Sequence, residues 1–408
     1  MTQRKNFESL LTSIADTPVG SAGPDDGDGI DENRILSEIR AAKERLKADP
    51  SLFSGDPNKF FTYDDPILAI MAYLYQSHLQ MAHVVGVAGP EGADLLEETL
   101  WKWAKTGVYM YLTRNNKSYG TLMGRTPREN IVIPNGVIRI AVAGDAGYRG
   151  QAQSNVIYNI RENHRNKAYD LLLHLGDIYF SGHKGEFLEH FLAPFMNVGP
   201  RVLTLVGNHD LYMGADSFLH TLKVLHQPGR YFCIENPHWR IACLDTALPA
   251  SSITRNAGRL DEGQLEWLDS LLDKDDGKKN ILMSHHFVVS GWEKTSDELL
   301  NQLQPRLKKV FAWYWGHEHR SATYSKSTVG YHGACIGNGA FLESWKAPTR
   351  EPQPDWYPES RCACYGISNY WPHGYLDLEL HPTRIVENFY LENGDSHIRT
   401  LELSPAES

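Results

Sequence analysis

The sequence is poor in the features that would take it out of the ordinary globular proteins. It has five cysteines in 408 residues. Cys233, Cys243, Cys335, Cys362 and Cys364 are an odd number without the spacing of a small disulfide domain. Cys362-Ala363-Cys364 lacks a second cysteine pair to complete a zinc site, so reduced thiols in a cytoplasmic protein are expected. Long apolar runs are lacking as well. The longest candidate, "PILAIMAYLYQSHLQMAHVVG", is interrupted by Gln76, His78, Gln80 and His83, which argues against a membrane helix. The opening "MTQRKNFESLLTSIADTPVG" lacks the apolar core of a secretory signal. Basic charge is scarce: 40 Lys and Arg stand against 50 Asp and Glu, a net charge of −10. That balance disfavours a sequence-independent grip on nucleic acid. The short cluster Arg306-Leu307-Lys308-Lys309 reads as the solvated end of a helix. No internal repeat occurs at a solenoid period.

What is present is an ordinary soluble composition, 41% hydrophobic and 22% charged. The length suits one large domain with an appendage, or two domains. Residues 1–30, with "SAGPDDGDG", read as a flexible lead-in. Residues 31–130 carry helical periodicity. Ile35, Ile39, Ala42 and Leu46 share one face of a helix ending near Pro50. Asp65-Pro66 is a cap and first-turn pair for 66–86. Leu95, Leu96, Leu100, Trp103 and Ala104 mark a third helix near 91–114. No site is expected in this region, which could dock a partner protein or oligomerise.

At Asn130 the character changes. "NIVIPNGVIRIAVAGDAG" holds two β-branched runs around a Pro-Asn-Gly turn, a hairpin or strand–turn–strand signal. Strands then alternate with helices: a helix over 151–165, "YDLLLHLGD", a helix near 185–194, "RVLTLVGNHD", "RYFCIE", "WRIACLDT", the helix "EGQLEWLDSLLD", "KNILMSHH", a helix over 297–309 and "VFAWYWGHEH". The strands "VGYHGACIGNG", "HGYLDLELH", "TRIVENFYLE" and "SHIRTLEL" follow, around an irregular insert over 345–374 rich in proline and aromatics. Residues 131–408 are therefore expected to form a layered α/β sandwich.

The strand ends form a series. "AVAGDAG" ends in Asp145, "LLLHLGDIYF" in Asp177, "LTLVGNHD" in Asn208-His209, "ILMSHHF" in His285-His286 and "FAWYWGHEH" in His317 and His319. In open α/β sheets ligands bind outside the carboxyl ends of the strands, so five such tips would converge on one crevice. A lone Gly-Asp is usually a turn or a helix cap, but an ordered series of five is hard to assign to turns. Carboxylate, amide oxygen and imidazole together suit divalent ions such as Zn, Mn, Fe, Co or Ni. Two ions about 3.5–4 Å apart can hold a hydroxide between them and clamp phosphoryl oxygens during in-line displacement.

The ordered set G-D-x-G, G-D, G-N-H-D, x-x-x-H and G-H-x-H resembles the calcineurin-like metallophosphoesterases, nearest their purple-acid-phosphatase-like branch, over about 137–322. "LDEGQLEWLDSLL" resembles the family's Q-x-x-W-L helix. The resemblance implies two metal ions, divalent or trivalent (Fe, Mn or Zn). One would take Asp145, Asp177 and His319. The other would share Asp177 as a bridge and take Asn208, His285 and His317. His209 would protonate the leaving oxygen or stabilise phosphoryl charge, and Asp210 would orient the His209 imidazole.

Most of the superfamily carries a histidine ligand where this chain has Gly147. Purple acid phosphatases also have glycine there, and supply a tyrosine three residues after the bridging Asp. That position is Phe180 here, with Tyr179 one residue early; Tyr179 could reach the first metal through a bulge or water could complete its shell, and water is the expectation. His286, Arg320, Arg149 and His183 are candidate phosphate contacts, and the 345–374 insert could fold over the crevice or simply pack as a surface loop. The function expected is hydrolysis of a small phosphomonoester or phosphodiester. The alternatives are a nuclease, or a non-catalytic metal-binding regulatory module.

Overall fold

The computed structural model describes residues 3–16, 32–55, 61–63, scattered positions from 65 to 112, and, with short gaps, 130–403. The chain divides into two compact units, Met1–Asn116 with Tyr212–Gly214, and Lys117–Leu211 with Ala215–Ser408. No helix among the described residues is long and apolar enough to cross a membrane.

The first unit corrects the expected lead-in. Residues Gln3–Asp16 form a helix, because Phe7, Leu11 and Ile14 recur on one face and are buried. The helix Glu32–Ala48 buries Ile35, Ile39 and Ala42 as expected, and Arg40 Nε donates to the Ala15 carbonyl at 2.7 Å. A short antiparallel pair, β1 (Phe53–Gly55) with β2 (Phe61–Tyr63), follows. Asp65 caps the next segment by accepting the amides of Ile67 and Leu68 at 3.0 and 3.1 Å. Leu95, Leu96, Leu100, Trp103 and Ala104 lie outside the described residues.

In the second unit, β3 (Ile131–Val132) and β4 (Ile138–Ala143) flank the Pro-Asn-Gly turn without pairing as a hairpin. The chain crosses between two sheets there. β4 runs parallel to β5 (Leu171–His174), and β5 to β6 (Arg201–Thr204). β3 joins the other sheet beside β7 (Phe232–Glu235). That sheet continues through β8 (Trp239–Cys243), β9 (Lys279–Ser284) and β10 (Val310–Trp315), then β12 (His332–Ile336) and the edge strand β11 (Ser321–Tyr324). After the small pair β13 (Cys362–Cys364) and β14 (Ile367–Tyr370), three long antiparallel strands extend the first sheet. They are β15 (Gly374–His381), β16 (Arg384–Leu391) and β17 (Ser396–Glu402), giving the order β17-β16-β15-β4-β5-β6.

Period-two alternation divides each strand between layers. Ile138, Ile140 and Val142 of β4, Ile281 and Met283 of β9, and Tyr314 of β10 enter the core shared by the two sheets. Leu282, Trp313 and Trp315 face the opposite way and pack under Leu268, Leu271, Leu299 and Leu303. Those leucines belong to the helices Glu262–Leu272 and Asp297–Leu303, capped by Asp261 and Ser296. Each buried Leu or Ile contributes about 1.5–3 kcal/mol, which fixes strand register and so the position of every strand tip. The sequence expectation of a layered α/β sandwich matches this architecture.

Candidate metal centre

β4, β5 and β6 in one sheet and β9 and β10 in the other end at a common edge. Gly144, one residue past β4, donates its amide to Ile336 at the end of β12 at 2.9 Å. A Cβ on Gly144 would stand 2.5 Å from that carbonyl oxygen, so the two sheets meet here only because the residue is glycine. The tips of one sheet supply Asp145, Asp177 and Asn208, and those of the other His285, His317 and His319. Four of the six non-glycine residues with positive φ among the described residues are in this group: Asp145 (55°), Asp177 (68°), His317 (73°) and His319 (48°). A left-handed L-residue costs roughly 1–2 kcal/mol, a strain that clusters at functional sites. The turns are held against it by their own neighbours. Asp145 Oδ2 accepts the His317 amide at 2.7 Å, and Asp177 Oδ1 accepts the His209 amide at 2.9 Å.

Asp177 sits between two donor sets. On one side, the Tyr179 hydroxyl lies 2.7 Å from Asp145 Oδ1, 3.2 Å from Asp177 Oδ2 and 2.8 Å from His319 Nε2. Of the two ways expected to complete that set, Tyr179 or water, the tyrosine hydroxyl stands within reach of these groups. Gly147 shows why a histidine is not found at the first motif. A Cβ there would meet Ile178 Cα at 2.5 Å, and the tight bridge between Gly147 and Ile178 brings the Tyr179 ring in instead. His190 Nδ1 lies 2.8 Å from the Tyr179 carbonyl and anchors this loop further.

On the other side, His285 Nδ1 donates to the Leu175 carbonyl at 2.9 Å. A neutral His285 therefore carries its lone pair on Nε2. That nitrogen faces Asn208 Oδ1 at 3.2 Å, Asp177 Oδ2 at 3.4 Å and His317 Nδ1 at 3.0 Å. Lone pairs so arranged repel unless a positive charge lies among them. Burial pushes the His285 imidazole down, but the Asp177 carboxylate raises it to about 9. Burial likewise pushes the Asp177 carboxyl up, and His285 and His209 outweigh it and hold the group well below its ordinary range. Ligand atoms of Asp145, Asp177 and His285 lie within 4.8 Å of one another, as do those of His285, His286 and His317. The donor chemistry fits cations.

The remaining candidates divide. His209 is half-buried, with its ring 4.7 Å from that of Tyr179. The Asp210 carboxylate accepts the amides of Asp177 (3.1 Å), Ile178 (2.6 Å) and Gly207 (2.7 Å), so it ties the turns after β5 and β6 together. His286 is buried beside His285 and His317. Arg320 is buried, 4.9 Å over Trp292 and 5.8 Å from Trp371, with Nη2 3.4 Å from Glu293. Arg149, Phe180 and His183 lie outside the described residues. In the insert, Trp345 and Trp371 pack against each other, and Trp371 and Tyr357 pack edge-on against Trp292. These rings are engaged in packing. Sequence reasoning missed Phe341, whose ring is 4.5 Å from Tyr179 and 4.4 Å from His319, and Thr246 at the end of β8. "WRIACLDT" ends in the same polar manner as the five tips and was the available signal.

This fold and donor set define a class. Residues 138–321 match the family model of the calcineurin-like phosphoesterases. A Synechococcus protein named a probable cyclic nucleotide phosphodiesterase is 23% identical over 231 residues, covering 54% of this chain and 87% of that protein. Among solved structures, the Plasmodium protein GAP50, described as the anchor in the inner membrane complex, shares the fold. Its TM-score is 0.51 at 15% identity, over 66% of this chain and 90% of that one. A dimetal phosphatase from Danio rerio aligns with a TM-score of 0.48 at 15% identity, over 66% of this chain and all of that one, 100%.

Proposed function

We propose that the chain is a dinuclear metal-dependent phosphoesterase acting on small phosphomonoesters or phosphodiesters. The observation that carries this reading is Asp177, whose Oδ2 lies 3.2 Å from the Tyr179 hydroxyl and 3.4 Å from His285 Nε2. One carboxylate thus belongs to both donor sets. Asp145, Asp177, His319 and Tyr179 would hold one ion, and Asp177, Asn208, His285 and His317 the other. Fe, Mn and Zn suit these ligands. Bound ions supply an activated water and neutralise charge on the phosphoryl oxygens. The chain's own part is to orient the substrate and move a proton. His209, half-buried beside this centre, is assigned as the acid for the leaving oxygen.

Within the family, Gly147 together with Tyr179 supports a place near the purple-acid-phosphatase-like branch. The name of the Synechococcus relative makes a cyclic nucleotide the first diester to try. A net charge of −10 weighs against a nuclease, and neither a nucleic acid nor a membrane is assigned as a partner. A cytoplasmic setting is proposed, supported by Cys233, Cys243 and Cys335, which are buried and free.

The test measures metal content and hydrolysis of a monoester, a linear diester and a cyclic nucleotide, for the wild type and Asp177→Asn. Two ions per wild-type chain, loss of both in the variant, and turnover of at least one substrate are expected. A metal-loaded wild type inert on the whole panel would favour the non-catalytic module. Two ions retained at wild-type affinity in Asp177→Asn would refute the bridge.

A further inference from the structure

The centre extends to a strand tip beyond the five that hold the expected ligands. β8 and β9 run parallel with Cys243 beside Met283, so three residues further along Thr246 stands beside His286. The pairing is made by side chains. Thr246 Oγ1 lies 2.8 Å from His286 Nδ1 and accepts the His286 backbone amide at 3.1 Å. The tip of β8 is in turn clamped from the outer layer. The buried Gln264 side chain accepts the Asp245 amide at 2.9 Å and donates to the Asp245 carbonyl at 2.8 Å. His286 has little freedom to turn away, since a Cβ on Gly258 would lie 2.6 Å from its own Cβ. Its ring centre is 4.9 Å from that of His285 and 4.8 Å from that of His317.

We propose that His286 is a third imidazole ligand at the His285–His317 end of the centre, and that Thr246 is the residue that positions it. This rests on the reading that the centre holds metal ions. One ligand nitrogen of each of these three histidines lies within 4.8 Å of the others. A Thr246 hydroxyl that accepts Nδ1–H leaves the His286 lone pair on Nε2, as an N–H bonded to an outer partner does for metal-bound histidines generally. Three imidazoles favour a borderline ion such as Zn or Co over a hard one at this end, while Asp145, Asp177 and Tyr179 favour hard ions at the other.

The experiment measures zinc stoichiometry and affinity by chelator competition, with the visible spectrum of the cobalt-loaded protein, for the wild type, His286→Gln, Thr246→Val and Thr246→Ser. His286→Gln should weaken one of the two ions by at least roughly 10–100-fold and shift the cobalt bands. Thr246→Val should weaken the same ion by about 10-fold or more, and Thr246→Ser should restore it. A wild type with two ions and a His286→Gln protein with the same affinities and spectrum would overturn this assignment and leave the phosphoesterase reading standing. A wild type that holds no ion would overturn both. If His286→Gln does not fold, the contrast between Thr246→Val and Thr246→Ser decides, and equal affinities in those two would overturn the proposal.

Discussion

The Tyr179 hydroxyl lies 2.7 Å from Asp145 Oδ1, although the two residues come from the ends of different strands. Burial and the carboxylates of Asp145 and Asp177 push its ionisation well above the ordinary tyrosine range, and a bound cation reverses that pressure. Tyr179→Phe should therefore weaken the retention of one ion. In iron-loaded protein it should also remove a tyrosinate charge-transfer band. Metal content, affinity and visible spectrum identical to wild type would return water to this position.

His209→Ala should keep both ions, because the His209 amide contacts a proposed ligand oxygen at 2.9 Å and alanine retains that amide. Loss of the acid should lower the rate by roughly 10²–10⁴-fold. The loss should be greater for an alkoxide leaving group than for a nitrophenolate, which needs little protonation. Steady-state rates on both kinds of ester check this, and full activity on both would remove His209 from the mechanism.

Gly207→Ala should damage the bridge without replacing a ligand. The new Cβ would fall 2.0 Å from Asp177 Oδ1 and 2.5 Å from the Asp177 amide nitrogen. Relief requires moving backbone and carboxylate together, an overpacking cost of about 1–3 kcal/mol. Both ions should be lost more readily in a metal titration, with a lower melting temperature in the apo protein. Unchanged affinity for both ions would show that the tip yields without displacing Asp177.

Away from the centre, the buried pair His373–Glu392, joined at 2.8 Å, makes a pH-dependent contribution. Burial raises the Glu392 carboxyl, but the hydrogen bond and charge of His373 outweigh it and hold the group below its ordinary range. A depressed carboxyl stabilises the fold above the unfolded value, about 4.3. That contribution disappears as pH falls through the folded value. Glu392→Gln should melt roughly 2–4 °C below wild type at neutral pH, with the gap closing in acid. A constant gap across a thermal-melt pH series would assign the whole effect to packing.

Much of the centre was legible because parallel strands announce themselves. β4, β5, β6, β9 and β10 are apolar runs that stop at a short polar tip, and that pattern fixed the edge and its donors before any contact was known. What escaped depended on pairing across the sheets. The Pro-Asn-Gly turn looks local, yet β3 and β4 separate because each finds a better partner, β7 and β5. Counting along the chain left Tyr179 one residue early, since the Gly147–Ile178 bridge cannot be seen in spacing. Asp210 is adjacent to His209 in sequence, and the three backbone amides that claim its oxygens cannot be read there. Arg320 flanks His319 but sits under Trp292. In the first unit, polar residues around Phe7 and Leu11 disguised a helix whose buried face is narrow.

The crowding of lone pairs around His285 Nε2 has a consequence for the life of the protein outside catalysis. A cation entering that cluster binds the folded chain and not the unfolded one, so each tenfold excess over its dissociation constant adds about 1.4 kcal/mol of stability. Heat resistance then becomes a gauge of metal supply. Protein from starved cells would melt, and be cleaved by proteases, ahead of the same sequence from replete ones.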